Sequence, residues 1–574
     1  MAEAIISPGV FQIESDQSLY TQAPPALGAA IVGPTVSGRP MVPTYVTTYS
    51  QYLSLFGDIF KSGSYYYEYL TSMAAKEYFA NGGQTLLVTR IISGSNNIST
   101  YATSSIPASG STTSFKLETL AWGNQMNNAG AETSGALANG TPYNVRWEVT
   151  NVNTGSGLFT IIVRRGDDNN AQKNILETWA NMSLDPQQSN YISRVIGDLK
   201  PVYNITDAYV EYTGSFKNAS QYIRVASVTT PNVDSIDNNG NYKSASFADT
   251  LPVIGSGSFG GGVAATTAVA QFNENIGKGA SHATGTTGNI QGFAASDYTN
   301  AFTLLSNSDE YQFNVLLAPG IGLDCSAATS MIACVEGRGD AIAITDAGIY
   351  GTSITAATTN AAGQSSNYAA TYYPWVQLYS TNLGKAVWCP PSTVMGGVLA
   401  FNDQVGAEWF APAGLNRGGI PSVVLAEKRL QQTDRDTLYS ANVNPLATFP
   451  GTGVCVWGQK TLQRKPTALD RVNVRRLLIA LKDYIGGVSR GLVFEQNTTV
   501  TRNRFLSQVN PYLESVVQRQ GLYAYKVVMD ETNNTPDVVD RNQLVGQIYI
   551  QPTKTAEFII LNFNILPTGA TFPA

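Results

Sequence analysis

His282, Asp346 and Ser353 are the side chains here whose types could form a nucleophilic relay. In such a relay an imidazole takes the serine proton, and a carboxylate fixes the tautomer and orientation of the imidazole. One α/β scaffold carries the set in the order Asp, His, Ser. Here the single histidine precedes Asp346, and Ser353 follows Asp346 by only seven residues. With one imidazole, in the wrong order, no relay of that kind can be assembled, and nothing points to a Ser-Lys or two-carboxylate enzyme.

Other chemistry-bearing patterns are weaker. Gly255-Ser-Gly257-Ser-Phe-Gly260 matches a dinucleotide-binding turn, which needs a following helix and an acidic residue about 20 positions on. Two more glycines follow instead, and Glu274 comes sooner, so the run reads as a flexible loop. Arg338-Gly339-Asp340 runs from a helical pattern into a strand, so it lacks the loop tip an adhesive triplet needs. Cys325, Cys334, Cys389 and Cys455 form no C-x-x-C pair and no zinc-ligand spacing, and read as reduced, buried small hydrophobes. The expectation is no catalytic residue, no cofactor and no metal.

The elements that must hold these residues belong to a chain of 574 residues, room for about three to five domains. Charged residues are 13% of the chain, about half the usual share, and the net charge of −6 argues against nucleic acid as a partner. No apolar run is long enough to span a membrane. The start, MAEAIISPGV, carries an acidic residue where an export signal needs basic ones, so Sec export is not expected.

Strand and helix signals alternate over residues 23–95. LGAAIVG reads as a buried strand, SYYYEYLTSMAAKEYFANGG as a helix stopped at Asn81-Gly82, and QTLLVTRII as a strand. Residues 96–290 are rich in Ser, Thr and Gly, with strands such as PYNVRWEVTN and a short helix around Tyr191–Ile196. From 291 to 460 the α/β alternation returns. Residues 461–574 carry two long helices and two closing strand signals. The first helix is expected to be capped by Thr467 and ended by Gly486-Gly487. The second contains Pro511.

Between Lys460 and Lys526 stand twelve basic residues against four acidic ones, within a chain of net charge −6. On the first helix Arg471, Arg475 and Lys482 fall on one stripe. Val474, Leu477, Leu478, Leu481 and Ile485 lie to one side of it, Val472 and Ile479 to the other. Such a helix packs on its own domain and turns its basic stripe to a charged partner.

The two ends of the chain look like arms. Val10, Phe11 and Ile13 form a strand-like run ahead of a stiff Pro24-Pro25 hinge. Near the other end Ile559, Leu561, Phe563 and Ile565 alternate with the period of a half-buried strand. An unpaired strand is an aggregation hazard, and pairing it into a neighbouring sheet turns the hazard into a polymer contact.

Taken together, the sequence resembles the contractile bacteriophage tail sheath family. The resemblance rests on Ser7-Pro8-Gly9-Val10, Tyr373-Pro374-Trp375, Pro390-Pro391-Ser392 with Gly396-Gly397, and Asp403 with Gly406 and Trp409. It continues in Ala411-Pro412-Ala413-Gly414, Asn534-Thr535-Pro536-Asp537, Asp540-Arg541-Asn542 and the closing KTAEFIILNF. It covers 1–91 and roughly 300–574 and is weak over about 96–290.

The resemblance implies an α/β (α+β) multidomain chain. Residues 1–22 would be an N-terminal linker arm, and 23–95 the first part of an α/β core. Residues 96–290 would be a β-rich outward insertion, and 291–460 a subtilisin-like α/β domain without the catalytic triad. Residues 461–574 would be an α+β C-terminal sheath domain, with an arm from about 555. The Gly-rich run at 255 would lead into the central domain, and Arg338-Gly339-Asp340 would be a helix-to-strand corner.

The implied role is structural, not enzymatic: six-fold rings stacked around a tail tube, which contract and drive the tube through the host envelope. The implied partners are other copies of the chain, the tube protein, and baseplate and terminator proteins, with no nucleic acid and no membrane insertion. The implied location is the virion tail, assembled in the bacterial cytoplasm. The termini would exchange strands between subunits, and the basic stripe would face the tube or a neighbour. The same features would suit a related phage-like injection particle or another self-assembling virion protein.

Overall fold

The computed structural model describes residues 28–62, 65–91, 101–110, 113–130, 135–204, 206–229, 236–243, 249–262, 291 and 293–557. Its centre is an eight-stranded sheet in the order Thr44–Val46, Leu86–Arg90, Ala29–Gly33, Val315–Gly322, Ile342–Asp346, Ala369–Tyr373, Val443–Phe449, Gly453–Val456. The six inner strands pair in parallel, and the two edge strands join antiparallel. Two stretches far apart in sequence thus interleave in one mixed α/β layer.

The inner strands read as unbroken apolar runs because both faces are covered. Ile31, Val88, Leu317 and Ile344 share one core with helices Leu70–Ala80 and Pro391–Val405. Their sequence neighbours Ala30, Leu87, Leu316 and Ala343 share the other with helices Ala295–Leu305 and Ser326–Arg338. The Gly396-Gly397 pair lets the Pro391–Val405 helix lie close. A Cβ at 396 would come 2.6 Å from a Leu317 methyl, and one at 397 would come 2.8 Å from the Glu77 carbonyl.

Between these stretches, residues 101–262 build sheets of their own. One is four-stranded (Ile175–Met182, Leu158–Arg165, Val145–Asn153, Gly255–Gly257) and one three-stranded (Ile223–Val228, Thr113–Trp122, Tyr101–Pro107). They enclose a separate core around Phe115, Trp147, Phe159 and Phe259. The hairpin of Lys200–Asn204 and Tyr209–Thr213 reaches back, and its Tyr203 and Val210 join the core of the main sheet. Replacing 96–290 by a short flexible linker is therefore expected to leave a folded protein. Loss of those two side chains should cost about 3–6 kcal/mol at ~1.5–3 each. Calorimetry checks the shift, and an unfolded product would mean the insertion is integral to the core.

Three expectations change. Tyr65–Glu68 is a strand paired with Ile59–Ser62, and the helix starts only at Leu70. Three consecutive tyrosines favour a pleated surface over a helix start. Gly486-Gly487 does not end the first C-terminal helix, which spans Val472–Arg490. Ile485 and Val488 continue its apolar face onto the C-terminal core, and that packing outweighs the roughly 1 kcal/mol each glycine costs. Nor does Thr467 cap this helix. It caps the preceding 3₁₀ turn, Ala468–Asp470.

The two apolar stripes of that helix go to different cores. Val472 and Ile479 enter the main-sheet core. Leu477 and Leu481 enter a C-terminal core with Phe505, Val509 and Leu513 of the helix Thr499–Gln518. The helix is the seam between the two regions.

Candidate functional site

The C-terminal core is roofed by a hairpin of Leu522–Val528 and Gln547–Pro552, antiparallel with Val528 opposite Gln547 and Tyr525 opposite Ile550. Tyr525, Val527, Ile548 and Ile550 pack inward, whereas Tyr523 and Tyr549 are exposed. Among the described residues neither strand has a second neighbour, so both edges present unpaired backbone donors and acceptors. The loop between the strands is pinned by buried Asn534. Its amide donates to the carbonyls of Asp530 (3.1 Å) and Val545 (2.9 Å), and its oxygen accepts from the Val545 N–H (2.8 Å).

Beside the hairpin the chain is tied down at Glu557. Its carboxylate accepts from Arg471 Nε (2.7 Å) and Nη2 (3.0 Å), from the Tyr439 hydroxyl (2.8 Å) and from Gln459 (3.1 Å). The expected strand Ile559, Leu561, Phe563, Ile565 begins just beyond this clamp and lies outside the described residues, as do Val10, Phe11 and Ile13.

Between the clamp, the hairpin and the main-sheet region runs a groove of ≈ 890 Å³ walled by Trp409, Phe410, Tyr439, Trp457 and Tyr523. Trp409 closes its floor within the C-terminal core. Its indole donates to the Arg519 carbonyl (3.0 Å), and the Arg519 guanidinium lies 4.8 Å over the ring.

The seam also holds an ion pair whose guanidinium is buried and whose carboxylate is partly open to water. Arg476, 2% exposed, donates to both carboxylate oxygens of Asp403 at 2.7 and 2.6 Å. Burial alone would weaken the guanidinium's hold on its proton, but Asp403 more than offsets this and the pKa rises. Burial pushes the neighbouring Glu408 carboxyl up, against the opposing pull of Arg476.

The basic stripe takes up contacts within its own chain. Arg471 grips Glu557 and Asp470. Arg475 is buried, stacks 4.0 Å over the Tyr368 ring and donates to the Asn367 carbonyl. Lys482 is exposed and reaches the Tyr368 hydroxyl at 3.1 Å. Arg475 therefore does not face outward as expected. It sits between the two apolar stripes, where the helix meets the main-sheet region, and Tyr368 takes its charge.

The other sequence candidates have structural partners. The Asp346 carboxylate accepts from the N–H (2.8 Å) and hydroxyl (2.6 Å) of Ser392, at the start of the helix Pro391–Val405. A carboxylate there satisfies free helix N–H groups. The sequence singles out Ser392 only as part of the Pro390-Pro391-Ser392 motif and gives it no role. Ser353 caps the helix Ile354–Ala362 by accepting from the Ala356 N–H. His282 lies outside the described residues.

Arg338 bonds Asp340 and the carbonyls of Leu305 and Tyr311, with Gly339 left-handed at the corner between helix and strand. Gly255–Gly257 is a strand beside Val145–Asn153, so the start of the Gly-rich run belongs to the insertion's sheet, and the stretch from 263 to 290 that would lead into the central domain lies outside the described residues. A Cβ at 257 would meet the Trp147 ring at 2.5 Å. The four cysteines are free and buried. Among the described residues no helix is long and apolar enough to cross a membrane, and no three His, Cys, Asp or Glu side chains converge as metal ligands.

The seam, the groove and the hairpin coincide with two family matches. Residues 291–462 match the phage tail sheath protein central domain, and 464–566 match the phage tail sheath C-terminal domain. Together the two matches cover just under half of the chain, and over those residues it carries the domains of phage tail sheath proteins. The tail sheath protein of Vibrio phage KVP40 is 40% identical over 185 residues, which is 32% of this chain and 28% of that protein. The tail sheath protein of Enterobacteria phage T4 is 41% identical over 185 residues, with the same shares. The matched stretch thus spans little more than a quarter of each relative's length. The crystal structure of the sheath tail protein Lin1278 from Listeria innocua superimposes with a TM-score of 0.53 at 11% identity, over 92% of this chain and 95% of that one. At that identity the likeness concerns the fold.

Proposed function

We propose that this chain is the structural subunit of a contractile tail sheath. It assembles as stacked six-fold rings around a tail tube, and its contraction drives the tube through the host envelope. The observation that carries the reading is the hairpin whose two edges have no strand neighbour among the described residues, in a chain that supplies two strand-like segments near its ends. Each segment adds to a hairpin edge of a neighbouring copy, and these links persist while the rigid bodies rotate and slide. Contraction needs no nucleotide, because one lattice of contacts replaces a less favourable one.

In this reading 291–460, with the 23–95 strands, is a subtilisin-like scaffold that does no catalysis. The capping role of Asp346 and Ser353 supports that. Residues 96–290 face outward, away from the stacking surfaces. The partners are further copies, the tube protein, and baseplate and terminator proteins. The place of action is the virion tail, after assembly in the host cytoplasm.

Negative-stain images of the purified chain test this directly. Long tubes or ring stacks of uniform width are expected. Shells, flat sheets or monomers at all concentrations and salts would overturn the proposal.

A further inference from the structure

The loop between the two C-terminal helices presents an apolar knob. Phe494 is wholly exposed (102%), with Val493 next to it at 60% and Val500 at 77% in the first turn of the following helix. Apolar side chains grouped at a protruding tip mark an interaction surface more often than scattered ones do. Phe494 also holds a left-handed backbone, φ +70°, which is costly for a bulky side chain. The loop is nevertheless pinned. Val493 N–H donates to Arg490 O, Glu495 N–H to Leu492 O, and the Asn497 amide to Gln543 O at 2.8 Å. Arg502 Nε donates back to Asn497 at 3.0 Å. A rigid tip that keeps a phenylalanine in water and under strain gains nothing within its own subunit.

The aromatic groove lies at the other end of the same helix, where Asn473 is part of its wall. Nineteen residues at 1.5 Å each separate the two features by about 28 Å, so a subunit cannot fill its own groove with its own knob. A protruding feature at one end and a receptive one at the other make a head-to-tail contact, which repeats without closing on a two-fold axis.

We propose that the Val493–Phe494 knob of one subunit docks in the Trp409–Trp457–Tyr523 groove of a second copy. This contact is separate from strand addition and sets the direction of stacking. It rests on the sheath reading above, because a head-to-tail pair of this kind belongs to a ring or a repeating stack. The groove's aromatic walls suit an inserted Phe ring, which packs edge-to-face or offset against them.

Crosslinking tests it on the full chain. The four native cysteines are buried and free, and burial pushes the Cys334 and Cys455 thiols to about 11, so they stay quiet under mild oxidation at neutral pH. Tubes of Phe494→Cys,Tyr523→Cys protein should oxidise to a ladder of dimers and higher multimers, whereas each single variant gives none. In parallel, Phe494→Gly should raise the protein concentration needed for tubes at least tenfold. It should also leave the melting temperature of the unassembled subunit unchanged or higher, because glycine relieves the positive φ.

Tubes without a ladder overturn the knob proposal and leave the sheath reading intact. Dimers from Phe494→Cys alone mean knob meets knob, and overturn it too. A Phe494→Gly protein that assembles normally, or a groove covered instead by residues 558–574 or another protein, does the same. If the wild-type chain forms no tubes at all, the sheath reading falls and this proposal with it.

Discussion

Removing residues 1–20 is expected to give a folded subunit that forms no long tubes. The main sheet does not need the segment. Its first strand, Ala29–Gly33, already lies between Leu86–Arg90 and Val315–Gly322, and both sheet edges are short antiparallel strands from elsewhere. The segment's own run around Val10, Phe11 and Ile13 is separated from that strand in sequence by Pro24-Pro25. The C-terminal hairpin, in contrast, has two edges without a strand among the described residues. An added strand of ~4–5 backbone hydrogen bonds, at ~0.5–1.5 kcal/mol each, contributes roughly 2–7 kcal/mol per contact. Losing it should raise the critical concentration for assembly by at least about 30-fold. Sedimentation reports the folded subunit, and electron microscopy reports the missing tubes. Long, regular tubes from the truncated chain would refute strand exchange even with the family assignment intact.

The second large effect is expected at the seam. Arg476→Ala should destabilise the chain by about 1.5–3 kcal/mol, because Asp403, 31% exposed, loses a buried guanidinium partner but keeps some access to water. Asp403 would lose both charge-assisted bonds, and the adjacent Glu408, already pushed up by burial, would lose the cation that opposes that push. Arg490→Ala is the control. Its guanidinium lies 3.6 Å from Asp309, with both side chains largely exposed, and such a pair is worth at most about 1 kcal/mol. Denaturant midpoints compare the two variants. Equal, small shifts would show that the seam does not depend on the ion pair. Asp403→Ala in the Arg476→Ala background should recover part of the loss.

What was legible in the sequence follows from what periodicity encodes. The α/β alternation over 291–460 was legible because buried parallel strands such as Val315–Gly322 are near-continuous apolar runs, whereas the crossover helix Ser326–Arg338 buries one face at helical spacing. The two stripes flanking Arg471, Arg475 and Lys482 were readable, and each enters a different core. What that stripe faces was not readable, because periodicity gives a helix's faces and not the identity of what packs on each. Tyr368 lies over a hundred positions from Arg475. The Asp346–Ser392 contact and the Trp409 floor were hidden for the same reason: each joins segments that only the tertiary fold brings together. The helix running through Gly486-Gly487 was misread because local propensity is a weak term beside packing, and the strand at Tyr65–Glu68 because its tyrosines were read together with the helical spacing that follows them.

The interleaving of the main sheet bears on how the chain is born. Ala29–Gly33 is an inner strand, yet its second parallel neighbour, Val315–Gly322, is encoded almost three hundred residues later. At about 5–20 residues per second the ribosome needs roughly 15–60 s to deliver it. Throughout that interval the strand AAIVG has one apolar flank without a partner, while the residues around Phe115, Trp147 and Phe159 can already close their own core. The nascent chain is therefore a folded middle with an unfinished beginning. Its vulnerability to aggregation should be greatest during synthesis and end once Val315–Gly322 clears the exit tunnel.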